Sequence, residues 1–347
     1  MRRASLGAAL VLWTAMVAGA QAQLSLPGAT PTSTTPTLPL PVPSTGLAAS
    51  MTVPSGTPTN YLAPGIEPDL AFGALQRGYY MTALREAMKR IEGGTQDAHA
   101  MTLVGELYKD GLGVRRDLKE AARWYRLAAD RGDPQGAFSL ALAYLRGRGV
   151  EENRQVAIGW LEKAALTNHS GAIYNLGLLA IDGEIQDFDK ARTMFSRAAD
   201  LGNNDAAYAL GLLYKQGRGV ERDPQKAAQW FRKAAEDGIV AAQVDLAVML
   251  FNGDGVDKDE ATAVRYFLKA AATNNPVAQN RLARLLVVGR GTPKNMVEAM
   301  KWHLLARSAG LQDEWLDAQL AKLSPRERVA VDDAVRKYVS SVGAPAE

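Results

Sequence analysis

The fold is decided by a phrase that is clearest at residues 206–238, where the chain reads AAYALGLLYKQGRGVERDPQKAAQWFRKAAEDG. Its landmarks occur six times, at steps of 36 residues with a single step of 34. A small residue recurs at Gly105, Ala141, Gly177, Gly211, Ala247 and Ala283, and a bulky one at Trp124, Trp160, Met194, Trp230, Tyr266 and Trp302. Self-similarity at a period of about 20–50 residues is typical of stacked supersecondary units. The sequence therefore predicts a repeat solenoid, and we expect the bulky column in its core.

Each repeat carries the signals of two helices joined by a tight turn. In the first repeat, the turn Gly111–Val114 (GLGV) ends one helix, because glycine readily adopts the left-handed conformation at a helix C-terminus. Asp117 then caps a second helix, with Glu120 placed to complete a capping box, and Gly132 closes it. The sequence thus predicts six helix pairs, at residues 97–132, 133–168, 169–202, 203–238, 239–274 and 275–310.

The repeated phrase resembles a known family. The pattern A-x-x-x-L-G-x-x-Y-x-x-G-x-G-V, followed by K-A-x-x-W-x-x-K-A-A-x-x-G, is similar to the Sel1-like repeat, a relative of the tetratricopeptide repeat, and it covers Asp97 to Gly310. The resemblance implies an all-α fold, a right-handed α/α superhelical solenoid that binds or scaffolds other proteins. Such proteins are often exported in bacteria, where some act as adaptors in envelope signalling or secretion.

Segments on either side of the repeats are interpreted as helical caps. Residues 67–96 resemble an ordinary tetratricopeptide unit, and we expect them to form an N-terminal cap pair. Residues 311–342 are expected to hold C-terminal capping helices, the last of them opened by a capping box between Ser324 and Glu327.

The N-terminus has the features of an export signal. Arg2 and Arg3 precede an uncharged apolar stretch, and Ala20-Gln21-Ala22 resembles a cleavage site, so residues 1–22 are predicted to be a signal peptide. An uncleaved anchor is the alternative. Residues 23–66 contain no charged side chain and nine of the sixteen prolines, so we expect a disordered linker, or else a proline-rich ligand for a partner. The mature chain is expected in a bacterial periplasm or outside the cell, with no transmembrane segment.

Composition and motifs favour a binding protein over an enzyme. The net charge is only +3 and the basic residues form no clustered stripe, so nucleic acid is not an expected partner. The absence of cysteine excludes disulfides and thiolate metal sites. No G-x-S-x-G, H-E-x-x-H or phosphate-loop motif occurs, and the three histidines occupy unrelated positions. We therefore predict no catalytic, cofactor or metal residue. Some Sel1-like proteins are linked to β-lactams, and a cell-wall or β-lactam-acting enzyme is the alternative of another class.

The first helices of the repeats supply a candidate binding groove. In tetratricopeptide-like superhelices these helices line the concave surface, and positions three before, one after and four after the small column share one face. The candidate groove residues are Phe138, Leu142, Leu145, Tyr174, Leu178, Ile181, Tyr208, Leu212, Val248 and Phe251, between polar ends at Thr102, Glu106 and Lys109 and at Asn280 and Arg284. Such a surface would suit an extended or helical peptide. The alternative is that curvature packs these residues between neighbouring repeats.

The third repeat departs from the others in its turn. Asp182 to Asp189 is two residues shorter than its counterparts and carries four carboxylates, which could meet a basic partner or a cation. A degenerate copy of the turn is the alternative. On the sequence, the leading hypothesis is an exported, non-enzymatic adaptor that holds a protein or peptide in its groove. The second hypothesis is a periplasmic regulatory subunit of a membrane sensor kinase.

Overall fold

A computed structural model of the chain describes residues 70–95, 97–182 and 186–343. The predicted signal peptide (1–22) and linker (23–66) lie outside the described residues and stay predictions. Within the described residues, no helix is both long enough and apolar enough to cross a membrane.

The described residues form sixteen α-helices and no strand, which confirms the all-α prediction. They fall into two compact units. The first unit holds α1 (Leu70–Gln76), α2 (Tyr80–Arg90, continued by a π-helical turn at Ile91–Thr95), α3 (Ala98–Asp110), α4 (Leu118–Asp130), α5 (Pro134–Arg146), α6 (Arg154–Leu166) and α7 (Ser170–Ile181). The second unit holds α8 (Phe188–Asp200), α9 (Asn204–Gln216), α10 (Pro224–Glu236), α11 (Val240–Asn252), α12 (Glu260–Ala272), α13 (Pro276–Val288), α14 (Met296–Ser308), α15 (Glu314–Ala321) and α16 (Pro325–Gly343).

Within each unit, each helix up to α15 packs on the helix before it along the chain, and α16 packs on α14. The short turns between them make neighbouring helices antiparallel, as in a solenoid of helix pairs. Repeat 1 is α3 and α4, repeat 2 is α5 and α6, and the series continues to repeat 6, which is α13 and α14. The helices α1 and α2 precede the repeats and α15 and α16 follow them. Their roles as caps stay predictions.

Helix ends follow the predicted capping chemistry, with one exception. Asp117 caps α4 by accepting from the backbone N–H groups of Lys119 and Glu120, at 2.9 and 3.0 Å. The Glu120 carboxylate does not complete a capping box, because it accepts instead from an arginine one turn further along α4. That part of the prediction is wrong. The box predicted for α16 is confirmed, since Ser324 N–H donates to Glu327 Oε2 at 2.8 Å.

The core column lies one residue after the predicted bulky column. Its members are at most 3% exposed, and they are Tyr125, Leu161, Phe195, Phe231, Phe267 and His303. They pack under the small column, where a Cβ added at Gly211 would lie 2.5 Å from the Phe231 ring. Of the predicted column only Trp160 and Trp302 are buried. The others are half-buried, because successive helical residues point about 100° apart and only one of them can face the core.

Two half-buried aromatic rings of the bulky column are each covered by a lysine one turn further on. Lys233 Nζ lies 5.3 Å from the centre of the Trp230 ring, and Lys269 Nζ lies 5.5 Å from that of Tyr266. Cation–π attraction and the lysine methylenes shield the outer ring face from water. The prediction that this column forms the core is therefore wrong for Trp124, Met194, Trp230 and Tyr266.

In repeats 2, 4, 5 and 6, the second glycine of the turn contacts the backbone of the repeat before it. Gly149 has a φ of +76°, and a Cβ added there would lie 1.9 Å from the carbonyl oxygen of Leu118, the first residue of α4. Gly291 meets Glu260, the first residue of α12, in the same way at 2.3 Å. Both the left-handed conformation and the missing side chain are thus required, which explains the G-x-G spacing.

Candidate partner-binding face

The ten predicted groove residues lie on the first helices of repeats 2 to 5, as expected, but they are not equally accessible. Half of them are buried, namely Phe138, Leu145, Tyr208, Leu212 and Phe251. The other half are half-buried, namely Leu142, Tyr174, Leu178, Ile181 and Val248. The expectation of one open apolar stripe is therefore wrong for the buried five, because neighbouring helices pack closely over them. Their role in binding stays a prediction.

In the first unit, four of the half-buried residues lie on the first helices of repeats 2 and 3, α5 and α7. They are Leu142 on α5 and Tyr174, Leu178 and Ile181 on α7. The two helices are joined beside them, because the Phe138 and His169 rings lie 4.7 Å apart and His169 Nε2 lies 2.9 Å from an amide oxygen of α5. We call these four residues the inner stripe.

His169 holds this junction together by capping α7 with its ring. Nδ1 accepts from the backbone N–H of Ala172 at 3.1 Å, which places the proton of the neutral ring on Nε2, the donor to Gln135 Oε1. Burial lowers the pKa of His169, and smaller effects of a backbone hydrogen bond and of Asp133 oppose it. Because an unfolded histidine binds its proton more readily, stability is lost as pH falls below about 6.5.

At the polar end of the first unit, the side chains form hydrogen bonds and an ion pair with one another. Glu106 is only 5% exposed and accepts from the hydroxyl groups of Tyr125 at 2.8 Å and Ser139 at 3.2 Å, and it pairs with Lys109. Burial and the Glu106 carboxylate raise the pKa of Tyr125, which therefore stays a hydrogen-bond donor. These side chains stabilise the stack of helices, so they are not available to hold the end of a peptide.

In the second unit, a similar network engages the candidate groove residue Tyr208. Tyr208 donates its hydroxyl hydrogen to Asp245 Oδ2 at 2.9 Å, and Lys215 Nζ donates to Asp245 Oδ1 at 2.8 Å. Leu212 and Phe251 are buried beside it. Sequence reasoning missed both carboxylate networks, although the signal was present. Glu106 and Asp245 each interrupt a column that is mostly uncharged in the other repeats.

At its far end, the second unit carries a buried ion pair. Arg284 donates to both oxygens of Asp313, at 2.6 and 2.8 Å, and Asn280 Nδ2 donates to Oδ2 at 2.8 Å. Burial raises the pKa of Asp313, but the hydrogen bonds from Arg284 and Asn280 outweigh it, so the net shift is downward. Asp313 also caps α15, accepting from Leu316 N–H at 3.1 Å. The polar end predicted here therefore joins repeat 6 to the helix that follows it.

In the acidic turn of repeat 3, Asp182 and Asp187 make contacts that stabilise the fold. Arg154, the first residue of α6, donates to Asp182 Oδ2 at 2.6 Å and to the carbonyl oxygen of Leu179 at 2.9 Å. It thereby makes the inter-repeat contact that the missing second glycine makes elsewhere. Asp187 caps α8, and Glu184 lies outside the described residues. Across the described part of the chain, no three His, Asp or Glu side chains are grouped to hold a metal ion.

Comparison with known proteins matches these repeats to one family. The family model described as Sel1 repeat matches six consecutive segments, at residues 98–133, 134–169, 170–203, 204–239, 240–275 and 276–311. In a solved structure, a Sel1 repeat protein from Oxalobacter formigenes is 30% identical in sequence, with a TM-score of 0.60. The match covers 70% of this chain and 96% of that chain.

Curated relatives share only part of their length with this chain. Chitin synthase regulatory factor 1 of Schizosaccharomyces pombe is 32% identical over 167 residues, which is 45% of this chain and 35% of that protein. The exopolysaccharide production negative regulator of Rhizobium leguminosarum bv. viciae is 32% identical over 104 residues, which is 28% of this chain and 39% of that protein. The chain thus spans well under half of either relative. Sel1 repeats typically mediate protein–protein interaction and regulation. With six matched repeats and the helix pairs that they predict, this chain belongs to the Sel1-repeat family.

Proposed function

We propose that this chain is an exported, non-enzymatic scaffold that binds a protein or peptide through the inner stripe of its first unit. The observation that carries the proposal is the partial exposure of Leu142, Tyr174, Leu178 and Ile181, beside polar residues that already satisfy one another. Grouped apolar side chains that a fold leaves accessible are typical of protein-binding surfaces. Export is inferred from the signal-like sequence at residues 1–22.

The dimensions of the stripe suit a short amphipathic segment. Tyr174, Leu178 and Ile181 are spaced by four and three residues on α7, so they lie on one face over about 10 Å of helix. That length matches about two turns of a partner helix or about three residues of an extended strand. Tyr174 is the expected anchor, because aromatic residues at the centre of an interface contribute most of the binding energy.

Site-specific photo-crosslinking tests the proposal, because it captures a bound partner whatever its identity. A photoreactive residue at Leu178 should give a discrete adduct in the exported fraction, which mass spectrometry can identify. The matched control is Leu166 at the end of α6, which is 83% exposed but lies on the second helix of its repeat. Adducts of equal yield at both positions, or adducts at Leu166 alone, would place the partner away from the stripe.

A pair of tyrosine variants separates binding from folding. Tyr174→Ser should weaken binding of the crosslinked partner by about 1–2 kcal/mol or more and change the melting temperature little. Tyr208→Ser should instead lower the melting temperature, because it removes a buried hydroxyl that donates to Asp245. A large stability loss in Tyr174→Ser, with unchanged affinity per folded molecule, would show that Tyr174 is a packing residue.

A narrower role, as a periplasmic regulatory subunit of a membrane sensor kinase, is supported by one relative. The matched Rhizobium leguminosarum protein is named as a negative regulator of exopolysaccharide production. If this chain restrains a kinase, its deletion should raise phosphorylation of the response regulator, and the mature chain should bind the kinase's external domain. Unchanged phosphorylation in the deletion strain would argue for a scaffold without this regulatory role.

A further inference from the structure

One column of the repeats holds an arginine where the other repeats hold apolar residues. The column lies two residues before the bulky column, and its members are Ala122, Ile158, Arg192, Ala228, Val264 and Met300. All six are buried or half-buried, so packing alone favours an apolar side chain at this position. A residue that breaks the local rule without a packing gain marks a candidate functional position.

Arg192 lines a cavity of about 730 Å³ within the second unit. The other walls come from Tyr214 at the end of α9, from the turn at residues 219–222, and from Lys226 in the first turn of α10. The cavity is partly open to solvent and has room for a side chain of a partner.

The Arg192 guanidinium has no hydrogen-bonded acceptor among the described residues. Its Nε is buried without a partner, so part of the charged group is desolvated and gains no hydrogen bond that would offset the cost. Asp189 Oδ1 lies 3.7 Å from Nη2, which is beyond hydrogen-bond distance, and the Asp189 side chain is 80% exposed. The Arg192 side chain is 40% exposed, so its outer nitrogens remain open to a ligand in the cavity.

Two other charged groups of the cavity, Asp223 and Lys226, pair with each other. Asp223 accepts from the backbone N–H of Lys226 at 2.9 Å and lies 3.2 Å from Lys226 Nζ. The same backbone hydrogen bond is the largest cause of the lowered pKa of Asp223, which therefore stays ionised. Arg222 Nη2 lies 3.7 Å from Asp254 Oδ1, which is beyond hydrogen-bond distance, and Glu221 also lines the cavity. The N-terminus of α10 is thus capped by Asp223, and among the described residues that line the cavity Arg192 is the donor with a buried nitrogen that has no partner.

We propose that this cavity binds a carboxylate from a partner protein, an Asp or Glu side chain that accepts hydrogen bonds from Arg192. Charge-assisted hydrogen bonds to a guanidinium are strong and directional, and partial burial reduces their screening by salt. Asp189 competes weakly for the same group. The inference rests on the proposed function in that the chain binds a protein, but it concerns a different set of residues from the inner stripe.

Side-chain NMR of the arginine N–H groups in the mature chain tests the site with defined probes. The capped peptide Ac-Gly-Glu-Gly-NH2 should shift the Arg192 signal saturably, and Ac-Gly-Gln-Gly-NH2 should not. Arg192→Met should weaken binding of the glutamyl peptide by about tenfold or more, measured by calorimetry. Asp189→Asn removes the competing carboxylate and should tighten binding about two- to fivefold. Lys190→Met, which removes a charge from the same helix outside the cavity, should leave binding unchanged.

Stability measurements keep the test decisive. Arg192→Met should melt at or above the wild-type temperature, because methionine occupies the same column at Met300. A fall of several degrees would show that Arg192 is structural and overturn the proposal. Unchanged peptide binding in Arg192→Met would also overturn it. Linear shifts shared by all exposed arginines would mean that the acidic peptide binds non-specifically, and they would overturn it as well. Tighter binding of inorganic phosphate or of the free acid Ac-Gly-Gly-Gly-OH would overturn the assignment to an acidic side chain.

The two proposals can fail separately. Crosslinking from Leu178 reports on the inner stripe alone, whereas the peptide titration reports on Arg192 alone. Loss of crosslinking with retained glutamyl-peptide binding would reject the inner stripe and leave the cavity standing, and the reverse result would reject the cavity.

Discussion

Replacing Gly149 by alanine tests the contact between one repeat and the next. Gly149 combines a left-handed backbone, with a φ of +76°, and a position where a Cβ would lie 1.9 Å from the Leu118 carbonyl oxygen. Gly132 in the same unit has a φ of +84° but no atom within 4 Å of its Cβ position. Gly132→Ala therefore measures backbone strain alone, and Gly149→Ala measures the strain together with the clash.

The two variants should differ by a measurable free energy. A left-handed backbone costs alanine about 1–2 kcal/mol, and the reduced freedom of its unfolded chain offsets about 0.4–1 kcal/mol. Gly132→Ala should therefore lose about 1 kcal/mol of unfolding free energy. Gly149→Ala adds overpacking against a main-chain carbonyl, typically about 1–3 kcal/mol, which gives a total loss of about 2–4 kcal/mol.

Urea unfolding followed by circular dichroism provides the measurement. Gly132→Asn serves as a second control and should be close to neutral, because Asn168 and Asn274 hold the equivalent position at φ 61°. The reasoning is refuted if Gly132→Ala is as damaging as Gly149→Ala, since the contact with Leu118 would then contribute nothing. It is also refuted if both alanine variants unfold at the wild-type midpoint.

Three further predictions concern the core, the response to pH and export. Phe231→Ala should lower the unfolding free energy by about 3–5 kcal/mol, because its ring is fully buried, and Trp230→Ala should cost less because that ring is half-buried. Urea melts in the reverse order would contradict this assignment of the core. His169→Asn should keep the cap on α7 and remove the stability loss that the wild type shows as pH falls below about 6.5. An unchanged pH profile of the urea midpoint would show that another group is responsible. The exported chain should begin at Gln23, and mass spectrometry that finds Met1 intact would reject cleavage.

The sequence by itself determined the repeat unit, its register and the ends of its helices. These features depend on local chemistry that recurs within each repeat. The column Gly132, Asn168, Gly202, Gly238, Asn274 and Gly310 takes a positive φ throughout. No side chain crowds the glycines of this column, so asparagine can replace glycine there. Both residue types stand at a fixed period in the sequence, and they mark the C-terminal end of the second helix of each repeat.

The tertiary structure decided which side chains are covered and which remain accessible. Trp230 and Phe231 are adjacent aromatic residues, and only packing against Gly211 shows that the second is the core residue. Tyr174 and Tyr208 occupy the same column, yet Tyr174 is half-buried, whereas Tyr208 is buried and donates its hydroxyl hydrogen to Asp245. A column fixes the direction of a side chain on its own helix, whereas its exposure depends on the neighbouring repeats. Those neighbours differ from one repeat to the next, so accessibility, and with it the candidate binding surface, follows from packing between repeats.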